Sequence, residues 1–323
     1  MPLRTPGGKN LSAFGFNHML SFTKHRKIFY TASIILTVAS LVSMAIFGLK
    51  FGIEFTGGSV LEVGYKQQAP ALEDIQKVVI AAGLEGTSVQ VAGDQRVIIK
   101  TKPIDESKKN EVMQGLLSLG QIVAGSESFQ VIGPVIGQEL KNKTKVVVFL
   151  SLLSILIYIA ISFRKISRPV KSYIYGFTGI VALCHDIIIP LGVFAWLGHY
   201  LGVEITIPII TALLTVFGYS INDSVVVFDR IRENLFKGQA ENFSQIVDQS
   251  LNQTLGRSVN TSFTVLLVLA AILFFGGATL RYFALALFLG VGFGTYSSIF
   301  IASLLVVTIF ETRQNRGLLK NKK

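Results

Sequence analysis

Cysteine is almost absent from this sequence. The one copy, Cys184, lies inside an apolar run, and residues 51–144 have none, so no disulfide can form within the chain. A polar outside segment without disulfides has to hold together on its own core. Histidine is nearly as scarce. His18, His25, His185 and His199 are scattered, and with a single cysteine they make no metal-ligand cluster. No Gly-rich loop leads into a lysine to cradle a phosphate, and no nucleophile triad can be traced. These absences exclude an enzyme reading: no catalytic residue, metal or cofactor is expected. Charge is the last shortage. Only 15% of the 323 residues are Asp, Glu, Lys or Arg, where a soluble domain carries about 25%.

What is present instead is apolar, with half of all residues hydrophobic and gathered in runs. The formal net charge of +11 would suit a nucleic-acid binder, but its distribution does not. Residues 51–144 carry 9 Lys and Arg against 11 Asp and Glu, and the rest of the chain 21 against 8. The surplus cations sit in short segments beside apolar runs, the positive-inside pattern of a polytopic membrane protein. The expected surroundings are lipid, with no nucleic acid.

Residues 1–27 form a basic leader, with Arg4, Lys9, Lys24, Arg26 and Lys27 and no acid, which places it in the cytoplasm. Residues 28–48 then supply about 20 apolar or small positions, enough for a first transmembrane helix. A cleaved signal peptide would have a shorter apolar core behind a shorter leader, so an uncleaved anchor is expected. Residues 49–143 read as an extracytoplasmic α+β domain. Strands are expected at 59–65, 88–91, 96–101 and 129–132, and helices at 72–82 and 106–119. That order suggests a ferredoxin-like fold. Residues 144–310 hold transmembrane helices 2–6, with apolar runs at 146–163, 173–197, 205–228, 259–275 and 283–310. The second run lands on Arg164, Lys165, Arg168 and Lys171, with Pro169 breaking the helix. Residues 229–257 are amphipathic, with Phe243, Ile246, Val247 and Leu251 at helical spacing, as in a helix lying on or leading into the cytoplasmic interface. The basic tail at 311–323 completes a six-helix chain with both termini inside.

A few polar residues interrupt these runs. Asp223 lies seven residues before Arg230, about 10 Å above the charged landing zone. A carboxylate there costs about 2.5–3.5 kcal/mol on insertion scales. Thr215, Tyr219, Asn222 and Asp223 are spaced as one helix face, and a carboxylate beside an amide on such a stripe points to an ion path. Asp186, beside Cys184 and His185, is 13 residues into its span. It reads equally as an ion-path acid or as a structural one tied to a neighbouring helix. Arg257 opens the fifth span with Gln253, Asn260, Thr261 and Thr264 at helical spacing. It is either an anchor snorkelling to the headgroups or a counter-charge to Asp223. Gly290, Gly294 and Ser298 recur every fourth residue, the spacing of close helix packing.

Four stretches carry a resemblance. They are Phe-Gly-Ile-Glu-Phe-Thr-Gly-Gly at 51–58, Ala-Leu-Cys-His-Asp at 182–186, the run 218–234 around Asn222 and Asp223, and Asn-Gln-Thr-Leu-Gly-Arg-Ser-Val-Asn-Thr-Ser at 252–262. Together, and in this order across nearly the whole chain, they resemble the SecF branch of the SecD/SecF family of bacterial protein translocase subunits. The resemblance implies an RND-type half that pairs obligately and pseudo-symmetrically with SecD in the bacterial inner membrane. It implies a role beside SecYEG after SecA has acted, with YajC and YidC in the wider assembly, drawing an unfolded secretory polypeptide outward with proton- or sodium-motive force. It assigns ion coupling to Asp223, beside Asn222, and to Arg257, and carries the His185–Asp186 pair over in a less defined role. Gly256 stands where the family commonly has serine before the arginine. The fourth-span acid that SecD would contribute is not in this chain. The glycines at the membrane–domain junctions, Gly57, Gly58, Gly133 and Gly137, read either as a hinge or as simple turn residues. Two other functions fit parts of the pattern: an RND-type small-molecule or lipid exporter subunit, and a non-transporting membrane scaffold.

Overall fold

A computed structural model of the chain describes residues 20–162, 170–237 and 242–320. Most of the basic leader, Arg164, Lys165, Arg168 and Pro169, and the last residues of the tail lie outside the described residues.

Among the described residues, six helices are long and apolar enough to cross a membrane. The first, α1 (Arg26–Phe47), ends at Gly48, whose N–H bonds the Met44 carbonyl. After a four-residue helix α2 (Ile53–Thr56), the chain enters an α+β unit. Its elements are β1 (Gly58–Gly64), α3 (Leu72–Ala81), β2 (Ser88–Ala92), β3 (Arg96–Thr101), α4 (Glu106–Leu119) and β4 (Ser128–Ile132). Each strand and helix end falls within one residue of its expected place. The sheet runs β2-β3-β1-β4 with every neighbouring pair antiparallel. Alternation along β1 and β3 turns Leu61, Val63, Val97 and Ile99 toward Ile75, Val79, Val112 and Leu116 of the two helices. Asp105 caps α4 by accepting from the Lys108 N–H at 2.9 Å.

The remaining spans are α5 (Pro134–Ser162), α6 (Ser172–Leu201), α7 (Ile207–Lys237), α8 (Phe243–Phe275) and a sixth made of α9 (Ala278–Ser297), a π-turn at Ser298–Ala302 and α10 (Ser303–Lys320). Two boundaries differ from expectation. The second spanning helix starts at Pro134 rather than near residue 144, because proline at the first helical position has its φ preset and lacks only an N–H that would be unpaired there. Residues 229–257 are not a separate interfacial helix. Of these, 229–237 are the last turns of α7 and 243–257 the first turns of α8, and their apolar face is buried within the protein: Phe243, Val247 and Leu251 pack with Phe228, Ile231 and Val307.

Helices α6, α7 and the sixth span form the packed centre, while α1, α5 and α8 leave most of their surface open. Close approach depends on small residues. A Cβ at Gly192 of α6 would collide with Ser40 of α1, and one at Gly290 would collide with Val216 of α7. One turn along, a Cβ at Gly294 would stand 3.2 Å from Ser220, and one turn further the Ser224 hydroxyl donates to that of Ser298 at 2.9 Å. The expected packing role of the Gly290, Gly294, Ser298 repeat is what this interface uses.

The α+β unit is fastened to the membrane helices at two places. At the first, Gly57 (φ +74°) turns the chain against the start of α5. A Cβ on Gly57 would lie 2.9 Å from the Pro134 Cα, and one on Gly137 would lie 2.8 Å from the Gly57 nitrogen. At the second, the loop after α6 meets the sheet's open face. Lys100 pairs with Glu204 at 2.9 Å, Gln90 Nε2 donates to the Gly202 carbonyl at 3.2 Å, and Ile205 exchanges backbone hydrogen bonds with Lys50 and Gly52.

Candidate functional site

Two aspartates lie inside the helical core, in very different surroundings. Asp186 on α6 has no exposed surface. Its Oδ2 accepts from the Ser220 hydroxyl of α7 at 2.6 Å and from the Ser297 hydroxyl of α9 at 2.8 Å. Its Oδ1 lies 3.0 Å from His185 Nδ1. Three elements are thereby tied at one carboxylate, which favours the structural of the two readings of this acid. The His185 ring stacks on Tyr296, and its Nε2 is buried without a hydrogen-bond partner.

Asp223 on α7 is 6% exposed and has a single protein donor. The Ser258 hydroxyl of α8 donates to its Oδ1 at 3.1 Å, while Oδ2 is buried with no partner among the described residues. A carboxylate carrying its full charge would need several donors in such a place. Asp223 is thus far less fully partnered than Asp186. Deeper in the same seam, the Tyr219 hydroxyl donates to Ser262 at 2.9 Å, and Ser262 and Thr295 share a 2.5 Å hydrogen bond. Toward the other end, Asn234 Nδ2 donates to Ser250 at 2.8 Å and to Gln253 at 2.9 Å, and Arg230 Nε donates to Gln253 at 2.7 Å.

The expected single face of Thr215, Tyr219, Asn222 and Asp223 is split. Adjacent residues on a helix are about 100° apart, so with Asp223 turned inward, Asn222 turns outward with Thr215 and Gly218. Arg257 is likewise exposed, with Gln253, Gly256, Asn260, Thr261 and Thr264. Its charge is within electrostatic reach of Asp223, but the two form no ion pair at 4.0 Å or less. The structure thus gives Asp223 a serine, not an arginine, as its direct partner. Sequence reasoning missed Ser258, although Ser250, Thr254, Ser258 and Ser262 repeat every fourth residue. That stripe of modest hydroxyls was overshadowed by the more polar one beside it. Among the described residues no group of three or more His, Cys, Asp or Glu assembles as a metal site would require.

The comparisons with known proteins bear on what such a core is for. The family model described as "Protein export membrane protein SecD/SecF, C-terminal" matches residues 116–312, and the "SecD/SecF GG Motif" model matches residues 42–69. The chain belongs to the SecD/SecF family. The protein translocase subunit SecF of Thermobaculum terrenum is 39% identical over 305 residues, covering 90% of this chain and 94% of that one. The protein translocase subunit SecDF of Thermus thermophilus is 36% identical over 287 residues, covering 86% of this chain but 37% of its own length. A crystal structure of SecDF from Thermus, described as a translocon-associated membrane protein, superposes with a TM-score of 0.78 at 33% identity. That match covers 90% of this chain and 39% of the SecDF chain, so the protein spans about two fifths of the longer relative. As a SecD/SecF family member with six spanning helices, it is a multi-pass membrane subunit of the Sec protein translocase.

Proposed function

We propose that this subunit couples an ion-motive force to outward movement of polypeptides, with Asp223 as the residue that takes up and releases the ion. The observation that carries the reading is the buried Asp223 Oδ2, which has no partner, in the middle of a long spanning helix. A charge moved through 100 mV yields about 2.3 kcal/mol, so repeated cycles are needed to bias a sliding chain. Arg257 serves as the counter-charge, approaching Asp223 when the carboxylate is bare. Asn222 and the exposed residues around Arg257 face a SecD-type partner, which completes the path with its own acid. Asp186 acts as the structural tie between α6, α7 and α9. A coupling ion of either kind, proton or sodium, is compatible with one carboxylate.

In this scheme the protein sits in the bacterial inner membrane with both termini in the cytoplasm and works beside SecYEG after SecA, with YajC and YidC as further neighbours. The strand order β2-β3-β1-β4 with two helices on one face is that of a ferredoxin-like fold, and we place this unit, residues 49–143, on the outer side. The aromatic cluster Phe47, Trp196, His199 and Tyr200 at the adjoining helix ends supports a membrane boundary there. The hinge reading of the junction glycines now centres on one packed contact, Gly57 against Gly137, flanked by Gly58 and Gly133. Small-molecule export is not favoured, since the relatives are named for protein translocation.

The test is Asp223→Asn, which keeps the shape and loses the ionisation. In membrane vesicles holding the assembled pair, it is expected to remove the ion-driven component of export and leave the ATP-driven component. Normal ion-driven export by a correctly assembled variant would overturn the proposal.

A further inference from the structure

Four hydroxyl side chains, Ser250, Thr254, Ser258 and Ser262, recur every fourth residue along α8, and all are buried. Three of them do what Ser and Thr ordinarily do inside a helix. Ser250 donates to the Ile246 carbonyl at 2.7 Å, Thr254 to that of Ser250 at 2.9 Å, and Ser262 to that of Ser258 at 2.9 Å. Ser258 is the exception. Its hydroxyl reaches across to Asp223 Oδ1 at 3.1 Å. With one proton to donate, it cannot also serve the Thr254 carbonyl one turn back.

The adjoining residue, Arg257, stands about 100° round the same helix on its open face. One carboxylate therefore has two candidate partners on α8: a hydroxyl on the buried side and a guanidinium on the exposed side. In this structure it has taken the first. We propose that Ser258 is a positioning residue for Asp223, holding the carboxyl turned inward in competition with Arg257. The proposal rests on the ion-coupling reading of Asp223 and adds the element that separates its two states. When the acid carries its ion, one hydroxyl on Oδ1 is enough. When the ion leaves, the bare carboxylate draws the guanidinium, and the Ser258 hydroxyl rotates back to the Thr254 carbonyl as its neighbours already do. The remaining ionisable groups nearby do not take part: Asp186 and His185 are committed to each other and to Ser220 and Ser297, and Tyr219 donates to Ser262.

The experiment measures, in sodium-free buffer, how fast dicyclohexylcarbodiimide, an apolar reagent for protonated carboxyls, modifies Asp223. It uses the chain assembled with its SecD-type partner in membranes, read by mass spectrometry. Ser258→Ala removes one oxygen and fills no new space. It is expected to slow modification about fivefold, the equivalent of one hydrogen bond, because Asp223 then turns to Arg257. In an Arg257→Gln background the competitor is gone, so adding Ser258→Ala is expected to change the rate by less than about twofold. Modification of Ser258→Ala at the wild-type rate would overturn the proposal, as would a fivefold loss that persists in the Arg257→Gln background. Asp223→Asn export, measured alongside, separates the two levels. If that variant exports normally, coupling through Asp223 is wrong whatever the labelling shows. If it fails to export while Ser258→Ala labels normally, only the role of Ser258 is wrong.

Discussion

Two aspartates buried on neighbouring helices illustrate how partners, rather than burial, distinguish one acid from another. Asp186 receives Ser220, Ser297 and His185, whereas Asp223 receives Ser258 alone. Removing this shared acceptor strands the Ser220 hydroxyl and His185 Nδ1 in an apolar place, while Ser297 keeps only the Gly294 carbonyl. Asp186→Ala is therefore expected to cost about 2–4 kcal/mol, seen as a lower unfolding temperature of the detergent-solubilised protein. Asp223→Asn, which strands no donor and relieves a poorly solvated acid, is expected to unfold within a degree or two of wild type. Equal losses in the two variants would contradict this division. Both acids were visible in the sequence as costly residues in apolar runs. Their difference was not, because it is written in serines. Ser220 and Ser297 are separated from Asp186 by 34 and 111 residues, and only the helix packing brings them together. The same limit applied to Asn222 and Asp223: adjacency in sequence suggested one shared face, and the 100° step between them sends one outward and the other inward.

At the scale of elements, the α+β unit was the most legible part of the chain. Period-two alternation in 58–64 and 96–101 and helical spacing in 72–81 and 106–119 are local signals. How the unit is fastened was not legible, since both attachments are between segments remote in sequence. The start of α5 at Pro134 was hidden by the polar residues 138–145, which carry no apolar signal although they form helix. Together with the Gly57–Gly137 contact, the link from Lys100 to Glu204 and from Gln90 to Gly202 sets the sheet over the α6–α7 loop. That loop joins the two helices bearing Asp186 and Asp223, so β2 and β3 rest directly on the connection between them. Lys100 and Glu204 are each only about one-fifth exposed, with side-chain values of 19% and 18%, so their pairing is less screened than a surface bridge. Lys100→Glu and Glu204→Lys, made singly, are each expected to speed amide exchange in β2 and in 198–206 several-fold. The double charge swap is expected to recover about 1 kcal/mol of coupling. Exchange in the swap as fast as in the single variants would show that the bridge does not hold the unit.

For the whole molecule, the decisive observation is what the chain leaves uncovered. Thr211, Thr215, Gly218 and Asn222 of α7 and Gln253, Gly256, Arg257, Asn260 and Thr261 of α8 are all exposed, in helices long enough to span a membrane. An arginine and three amides facing hydrocarbon would cost several kcal/mol, so this face calls for a polar protein surface rather than lipid. Small residues at Gly218 and Gly256 let another helix approach closely, and among the described residues neither serves packing: nothing lies within 4 Å of a Cβ built at either. The Thermus relative, in which a homologous region occupies 37% of a chain named SecDF, supports a SecD-type partner as the occupant. Gly256→Trp separates folding from assembly. Among the described residues nothing lies within 4 Å of a Cβ at this exposed position, and replacing a helical glycine is mildly favourable, so the isolated protein should unfold at or slightly above the wild-type temperature. Against a closely packed partner helix the same side chain has no room, and recovery of the SecD-type subunit by co-purification should fall at least tenfold. Recovery at the wild-type yield would mean that the partner docks elsewhere, and that Arg257 faces either lipid or water in the assembled translocase.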